Sequence, residues 1–273
     1  MEIIIKGANF SALGFGNTRW IENYILSAGI SSDTQKSALR ALYSSYIAAG
    51  FTNKFAVFRL FFNTNPDVDK LNLISPYTTA ESYAASWAVD DPAAHTLSGF
   101  QPSATTGRYA ISTYKAPTGT TDFHMHVWNT TSEGSAAANR HMMGVAGGTT
   151  TFSLQRNRSG VTAGSVGNTF AAGSVSMTSA YDVTKTGLLS FSRTGTVHNL
   201  YDAGAVINTV TKTADALNAT TLNFYEGYAT GTTQPAITDA KIFFIAYGAS
   251  AWTAADEVAL KNMITAFKSA IGA

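Results

Sequence analysis

The stretch Gly187-Leu-Leu-Ser-Phe-Ser-Arg-Thr-Gly-Thr-Val-His-Asn-Leu-Tyr-Asp-Ala-Gly204 decides the fold. Gly187-Leu-Leu-Ser-Phe-Ser192 and Val197-His-Asn-Leu-Tyr201 are short runs in which apolar residues alternate with small polar ones, as half-buried strands do. Asp202-Ala-Gly204 brings turn chemistry directly after the second run and reads as a hairpin turn. The same texture extends in both directions, from about residue 95 to 247. Arg108-Tyr-Ala-Ile-Ser-Thr-Tyr114, Asp122-Phe-His-Met-His-Val-Trp128 and Thr151-Phe-Ser-Leu-Gln155 precede the hairpin, and Thr221-Leu-Asn-Phe-Tyr225 and Lys241-Ile-Phe-Phe-Ile-Ala-Tyr247 follow it. Strands at intervals of roughly 8–15 residues, with no helix between them, predict an antiparallel β-sandwich of the jelly-roll kind.

Outside this block the pattern changes to helix and loop. Residues 1–16 read as a short strand and a glycine-punctuated loop, and 18–28 as a short helix ended by Gly29. The spacing of Leu39, Leu42, Tyr43, Tyr46 and Ile47 predicts a second helix over 32–49, capped by Ser31-Ser32-Asp33 and closed by Gly50. Phe55-Ala-Val-Phe-Arg-Leu-Phe-Phe62 is a strand buried on both faces or a short buried helix; periodicity does not separate the two. Residues 63–93 read as loop, and Gly144-Val-Ala-Gly147-Gly148 as a flexible loop. At the other end, Thr253 with Asp256 forms a capping-box variant. Leu260, Met263, Ile264, Phe267 and Ile271 then mark an amphipathic helix over 253–271. The expected organisation is an N-terminal strand, helix and loop region, 1–93, packed on or attaching a mainly β jelly roll, 94–273, that includes the C-terminal helix.

Composition limits the function. The 273 residues carry 18 Lys plus Arg and 17 Asp plus Glu, a formal net charge of +1. Charged residues make up 13% of the chain, about half the usual share. Without a basic field there is little to displace counterions, so nucleic acid is not an expected partner. Cys is absent, which excludes disulfides, thiolate catalysis and cysteine–zinc sites. No signal peptide opens the sequence and no segment reaches the ~20 apolar residues of a membrane span. There is no heptad array to support a coiled-coil trimer.

Several motifs carry a resemblance. They are Gly7-Ala-Asn9-Phe10-Ser11, the helix Ala38-Leu39-Arg-Ala-Leu42-Tyr43, Asn53-Lys54-Phe55-Ala-Val-Phe58 and Asp69-Lys70-Leu71-Asn72-Leu73. With them go the strand pair Gly187–Thr194 and Leu200-Tyr201-Asp202-Ala-Gly204, and the close Ala246-Tyr247-Gly248 with Trp252-Thr-Ala-Ala-Asp256. In this pattern, which runs through nearly the whole chain, the sequence resembles bacteriophage virion proteins of the tail-fibre, receptor-binding and head-decoration types. Those proteins have a concanavalin A-like (LamG-like) jelly-roll domain. The family usually has Asn-Gly in the hairpin; Asp202-Ala-Gly204 departs from that and is expected to lengthen the turn. The resemblance implies a non-enzymatic structural protein of the particle, made in the host cytoplasm and carried on the virion. Its implied partners are other capsid or tail proteins, further copies of itself in a homo-oligomer such as a trimer, and host-surface glycans. A free carbohydrate-binding lectin and a polysaccharide depolymerase are the alternatives.

His124 and His126 share a strand face and would need His95, His141 or an acid to complete a metal site; otherwise they are polar residues on the solvent face, with Phe123, Met125 and Val127 turned to the core. Glycanase chemistry needs two paired carboxylates, yet Glu81, Glu133 and Glu226 are isolated, and Asp90-Asp91 and Asp122 could pair only through long-range folding. Asp67, Asp69, Asp90 and Asp91 are either calcium ligands or turn and cap residues. Trp87, Trp128, Tyr109, Tyr114 and Tyr201 would stack on sugar rings if exposed, although aromatics at alternating strand positions are mostly core. No catalytic, cofactor-binding or metal-binding residue is assigned from the sequence.

Overall fold

The structure is a computed structural model. It describes residues 16–74, 85–87, 91–103, 109–112, 114, 121–132, 140–147, 150–157, 177, 184–211, 223–226, 238 and 240–273. Helices α1 (Gly16–Ser27), α2 (Asp33–Ala48) and the short α3 (Pro66–Asp69) precede most of the strands, and α4 (Ala254–Ile271) closes the chain. The strands are β1 (Val57–Leu60), β2 (Ala85–Trp87), β3 (His95–Thr96), β4 (Gly99–Phe100), β5 (Ala110–Ser112), β6 (Phe123–Asn129), β7 (Arg140–Gly147), β8 (Thr150–Asn157), β9 (Gly187–Thr194), β10 (Val197–Asp202), β11 (Ala205–Thr211), β12 (Asn223–Glu226) and β13 (Ile242–Gly248). They form two antiparallel sheets. The larger runs β11-β10-β9-β6-β13-β4-β3, with β1 also on β13, and the smaller runs β2-β5-β12-β7-β8. The protein is a mainly β antiparallel sandwich with N-terminal helices and a C-terminal helix.

Strand alternation gives the larger sheet two apolar faces, and both are covered. Phe123, Met125, Val127, Leu189, Phe191, Ile245 and Tyr247 face the smaller sheet, where they meet Met142, Met143 and Leu154. Phe58, Leu60, Leu188, Phe244 and Ala246 face the other way and are buried under the helices by Tyr24, Leu39, Leu42, Tyr46, Leu260, Ile264 and Phe267. A bulge supports this second layer. The register between β13 and β6 shifts between Ile242 and Phe244, so the consecutive residues Phe243 and Phe244 both turn to the helices.

The ambiguous run near residue 58 is a strand buried throughout, and its register with β13 is Val57↔Tyr247 to Leu60↔Phe244. The segment before residue 93 therefore supplies a strand to the larger sheet as well as packing on it. The motif Asp69-Lys70-Leu71-Asn72-Leu73 seals the free edge of that strand. Phe58 N–H donates to Asn72 Oδ1 at 2.9 Å, Asn72 Nδ2 donates to the Ala56 carbonyl at 2.9 Å, and Leu73 N–H donates to the Phe58 carbonyl at 2.8 Å. Further along, Phe62 and Asn63 N–H both donate to Asp69 Oδ1 at 3.2 Å. Side-chain groups thus replace the next strand and keep the edge from pairing with another chain. Asn72→Ala is expected to cost about 2–3 kcal/mol, because it leaves a buried N–H and a buried carbonyl without partners. Urea unfolding measures it, and a loss below about 0.5 kcal/mol would mean that Asn72 does not seal the edge.

Two terminal signals are realised as their sequences predict. Ser32 Oγ accepts from Gln35 N–H at the start of α2. At the start of α4, Thr253 and Asp256 exchange both bonds of the capping box. Other expectations are corrected. The hairpin register pairs Asp202 with Ala205, so the loop is the two-residue Ala203-Gly204 and the turn is not lengthened. Both loop residues have positive φ, 51° and 90°, the requirement of a type I′ turn, so alanine occupies a position that asparagine holds more cheaply. Residues 63–93 are not all loop, since α3 and β2 lie within them. Gly144–Gly147 belong to β7 rather than to a loop; Gly148 lies outside the described residues. The strand expected in residues 1–16 falls on residues that are outside the description, apart from Gly16 at the start of α1.

Candidate functional site

Two places concentrate polar chemistry, and geometry separates them. The first is on the helix-covered face of the larger sheet. His124 and His126 share a strand face, as their spacing predicts, and Phe123, Met125 and Val127 turn to the core. The histidines do not reach solvent, however: both are fully buried. Trp252 and Phe55 cover them, with Trp252 stacked on His124 at 4.5 Å and Phe55 edge-on to it at 5.0 Å. Strand alternation assigned the face correctly but said nothing about the layer above it.

Hydrogen-bond direction orders this cluster. The Lys54 carbonyl can only accept, so His124 Nε2, 2.9 Å away, carries a proton and donates it. Burial, and after it the charge of His126, hold His124 well below its ordinary range, so its ring is neutral. Its Nδ1 then accepts from His126 Nε2–H at 2.8 Å. Only Nδ1 of His126 is left, and both Ser190 Oγ at 2.8 Å and Glu257 Oε2 at 3.3 Å meet it. Trp252 Nε1–H donates to the same Oε2 at 3.0 Å. A hydrolytic Ser-His-acid relay needs serine and carboxylate on opposite ring nitrogens, with the serine open to substrate. Here they share one nitrogen in a sealed interior. No group of three or more His, Cys, Asp or Glu suited to a metal exists among the described residues. The cluster clamps α4 and Trp252 to the sheet.

The second place is open. Where the end of β6 and the start of β9 meet α4, a groove of ≈ 300 Å³ has Trp128, Asn129, Thr130, Thr186, Lys261 and Lys268 in its lining. Trp128 is half-buried, and the core lies against it. The Lys268 ammonium lies 5.6 Å from the centre of the Trp128 ring and 4.9 Å from that of Phe243. Partial burial pulls the pKa of Lys268 down. Lys261 lays its stem against the hairpin, where a Cβ on Gly204 would stand 3.0 Å from Lys261 Cδ. Two polar residues of the lining are already committed. Asn129 Nδ2 donates to the Thr131 and Lys185 carbonyls at 2.8 and 3.1 Å, and Thr130 Oγ1 donates to the Ser98 carbonyl at 2.8 Å. These bonds fix the rim. The lining also brings the indole, Thr186 and the two ammoniums, neither of which pairs with an acid among the described residues.

The remaining candidates disperse. Tyr114 and Tyr201 are buried, Tyr114 beside Tyr247 in the sandwich core at 5.5 Å. Tyr109 is half-buried, and Trp87, His141 and Glu226 lie on β2, β7 and β12. Trp20, not among the sugar-stacking candidates, is 49% exposed on α1. The acids serve turns, caps and the strand edge. Asp67 pairs with Lys70, Asp91 Oδ1 accepts from Ala93 N–H at 3.1 Å, and Asp122 Oδ1 accepts from Gly195 N–H at 2.8 Å. Asp69 Oδ2 meets His95 Nδ1 at 2.7 Å in the interior; burial pushes this carboxyl up to about 6, against the pull of its hydrogen bonds. Glu81, Asp90 and Glu133 lie outside the described residues. Among the described residues, no carboxylate lines the groove. Lys261 and Lys268 were legible only as basic residues of α4; nothing in the sequence placed them against Trp128.

No family model matches the chain, and no curated protein matches it. Solved structures do. The chain is similar to domain 4 of the extracellular arabinanase AbnA of Geobacillus stearothermophilus, solved with arabinotriose, at 13% identity and TM-score 0.52, over 76% of this chain and 98% of that one. It is similar to the binding domain of botulinum neurotoxin serotype D at 12% identity and TM-score 0.54, over 77% of this chain and 51% of that one. It is also similar to the sialidase of Trypanosoma rangeli, solved with 2,3-difluorosialic acid, at 10% identity and TM-score 0.53, over 82% of this chain and 38% of that one. The chain thus spans about half of the toxin domain and less than half of the sialidase. At such identities the likeness shows a shared β-sandwich fold.

Proposed function

We propose that the protein is a non-catalytic glycan-binding module whose ligand lies in the Trp128 groove. The groove carries the reading: an indole, a hydroxyl and two ammoniums that pair with no acid among the described residues surround an open space, with rim residues fixed by hydrogen bonds to backbone carbonyls. Such a mixture of apolar surface and a few fixed polar groups suits a sugar. The fold supports it, since the similar arabinanase domain was solved with a trisaccharide. Catalysis is no part of the reading, because hydrolysis would need paired acids and no acid among the described residues lines the groove. Binding to a glycan array tests it: retention of at least one oligosaccharide class is the expected result, and an array without signal overturns it.

The motifs shared with phage virion proteins favour a particle-borne form of this module. In that form other virion proteins hold it and the groove faces the host surface. Mass spectrometry of purified particles is expected to find the chain, and its absence from them would leave the free lectin as the reading.

A further inference from the structure

We infer that the groove selects glycans bearing a carboxylate, with Lys268 and Lys261 receiving the negative charge; the inference rests on the glycan reading above. Among the described residues the groove offers two cations and no anion. The nearest acid on the hairpin is occupied, since Asp202 Oδ2 holds Lys185 Nζ at 2.9 Å. Glu257 and Asp256, at the start of the same helix, are also occupied: Glu257 faces His126 and Trp252, and Asp256 Oδ2 meets Lys54 Nζ at 2.6 Å. Lys261 and Lys268 therefore have no competitor among the described residues for an incoming anion.

Their placement differs from that of ordinary surface lysines. Lys268 is half-buried and lies over two aromatic rings, so part of its hydration is already lost. An ammonium in that state gains more from a carboxylate than a fully hydrated one does. The two residues are seven apart on α4, two helical turns, so both side chains lie along one side of it. A neutral sugar would leave both ammoniums of the groove without an ionic partner. A uronic or sialic acid residue would place its carboxylate at the ammoniums and its apolar ring surface against Trp128.

The test titrates the full chain with trigalacturonate and 3′-sialyllactose as carboxylate probes, and with maltotriose and lactose as neutral ones. The expected result is that a carboxylate probe binds at least about tenfold more tightly than the neutral sugars, and that its affinity falls as salt is raised from 0.05 to 0.5 M, as screening requires. The Lys261→Gln/Lys268→Gln variant is expected to lose about tenfold in affinity for that probe, while Lys268→Arg keeps most of it. Thermal melts of both variants confirm that the fold is intact. Equal binding of neutral and charged sugars, or a double variant that binds the carboxylate probe unchanged, overturns the charge assignment and leaves the glycan reading standing. Binding of none of the four sugars overturns the charge assignment, and the glycan reading falls only if the wider array is also blank.

Discussion

Trp252→Ala is expected to be among the most destabilising single changes in the chain, at about 5 kcal/mol, from a lost aromatic and an orphaned carboxylate. Trp252 is 2% exposed and sits where β6, the 3₁₀ turn at Phe51–Asn53 and α4 meet. Its ring centre lies 5.3 Å from that of Phe51, 5.2 Å from Phe55 and 4.5 Å from each of His124 and His126. Truncating a buried Trp to Ala costs about 3–5 kcal/mol when the cavity cannot collapse. Collapse is restricted here, because the walls are a strand, a 3₁₀ turn (Phe51–Asn53) and the first turn of α4, each held by its own backbone bonds. The second contribution is electrostatic. Glu257 is fully buried, its Oε1 has no partner among the described residues, and Trp252 Nε1–H donates to Oε2. Losing that donor adds about 1–3 kcal/mol. Trp252→Phe separates the two contributions: it keeps most of the apolar volume, loses the N–H, and should cost about half as much. Urea unfolding of the three proteins decides. An alanine variant within about 1 kcal/mol of wild type would mean that α4 is not held through this residue.

How much of this was legible in the sequence depends on what each signal encodes. Seven short runs read as strands from alternation are strands, because one residue in two must face a core. The capping box of α4 was legible because Thr253 and Asp256 are local chemistry that acts within one turn. Register and cover are not local. His124 and His126 were assigned to the correct face and the wrong environment, since alternation does not reveal that α4 and Trp252 lie above that face. The strand at 85–87 has three residues, too few to show a period, and β7 contains Gly144 and Gly147, which read as loop. The candidate groove was half legible. Trp128 stood out as an aromatic at a strand end, but its partners come from a helix more than 130 residues later, and only the packing of α4 across the sheet brings them together.

Gly248→Ala is expected to cost about 3 kcal/mol or more, although the residue does not need a left-handed backbone. The cause is close approach. A Cβ on Gly248 would stand 2.0 Å from the Lys54 carbonyl oxygen and 3.0 Å from His124 Nε2. Overpacking a core usually costs about 1–3 kcal/mol, with side chains giving way. Here the closest atom is backbone, and it accepts from His124 at 2.9 Å and from Ser250 Oγ at 3.2 Å. Moving it displaces the Lys54 segment, whose next link to β13 is Ala56 N–H to the Tyr247 carbonyl at 3.0 Å. It also removes the acceptor that fixes the His124 proton, the first link in the chain that ends at Glu257. Gly50→Ala is the matched control. Gly50 has φ of 70° and nothing within 4 Å of an added Cβ, so it isolates the backbone term, about 1–2 kcal/mol. The expected order in urea unfolding is therefore wild type, then Gly50→Ala, then Gly248→Ala. Amide exchange in the Gly248 variant should rise first at Ala56 and along β1 and the end of β13, where the displaced segment meets the sheet. A Gly248→Ala variant as stable as Gly50→Ala would mean that the Lys54 carbonyl is free to move, and the His124–His126–Glu257 clamp would then have no fixed anchor.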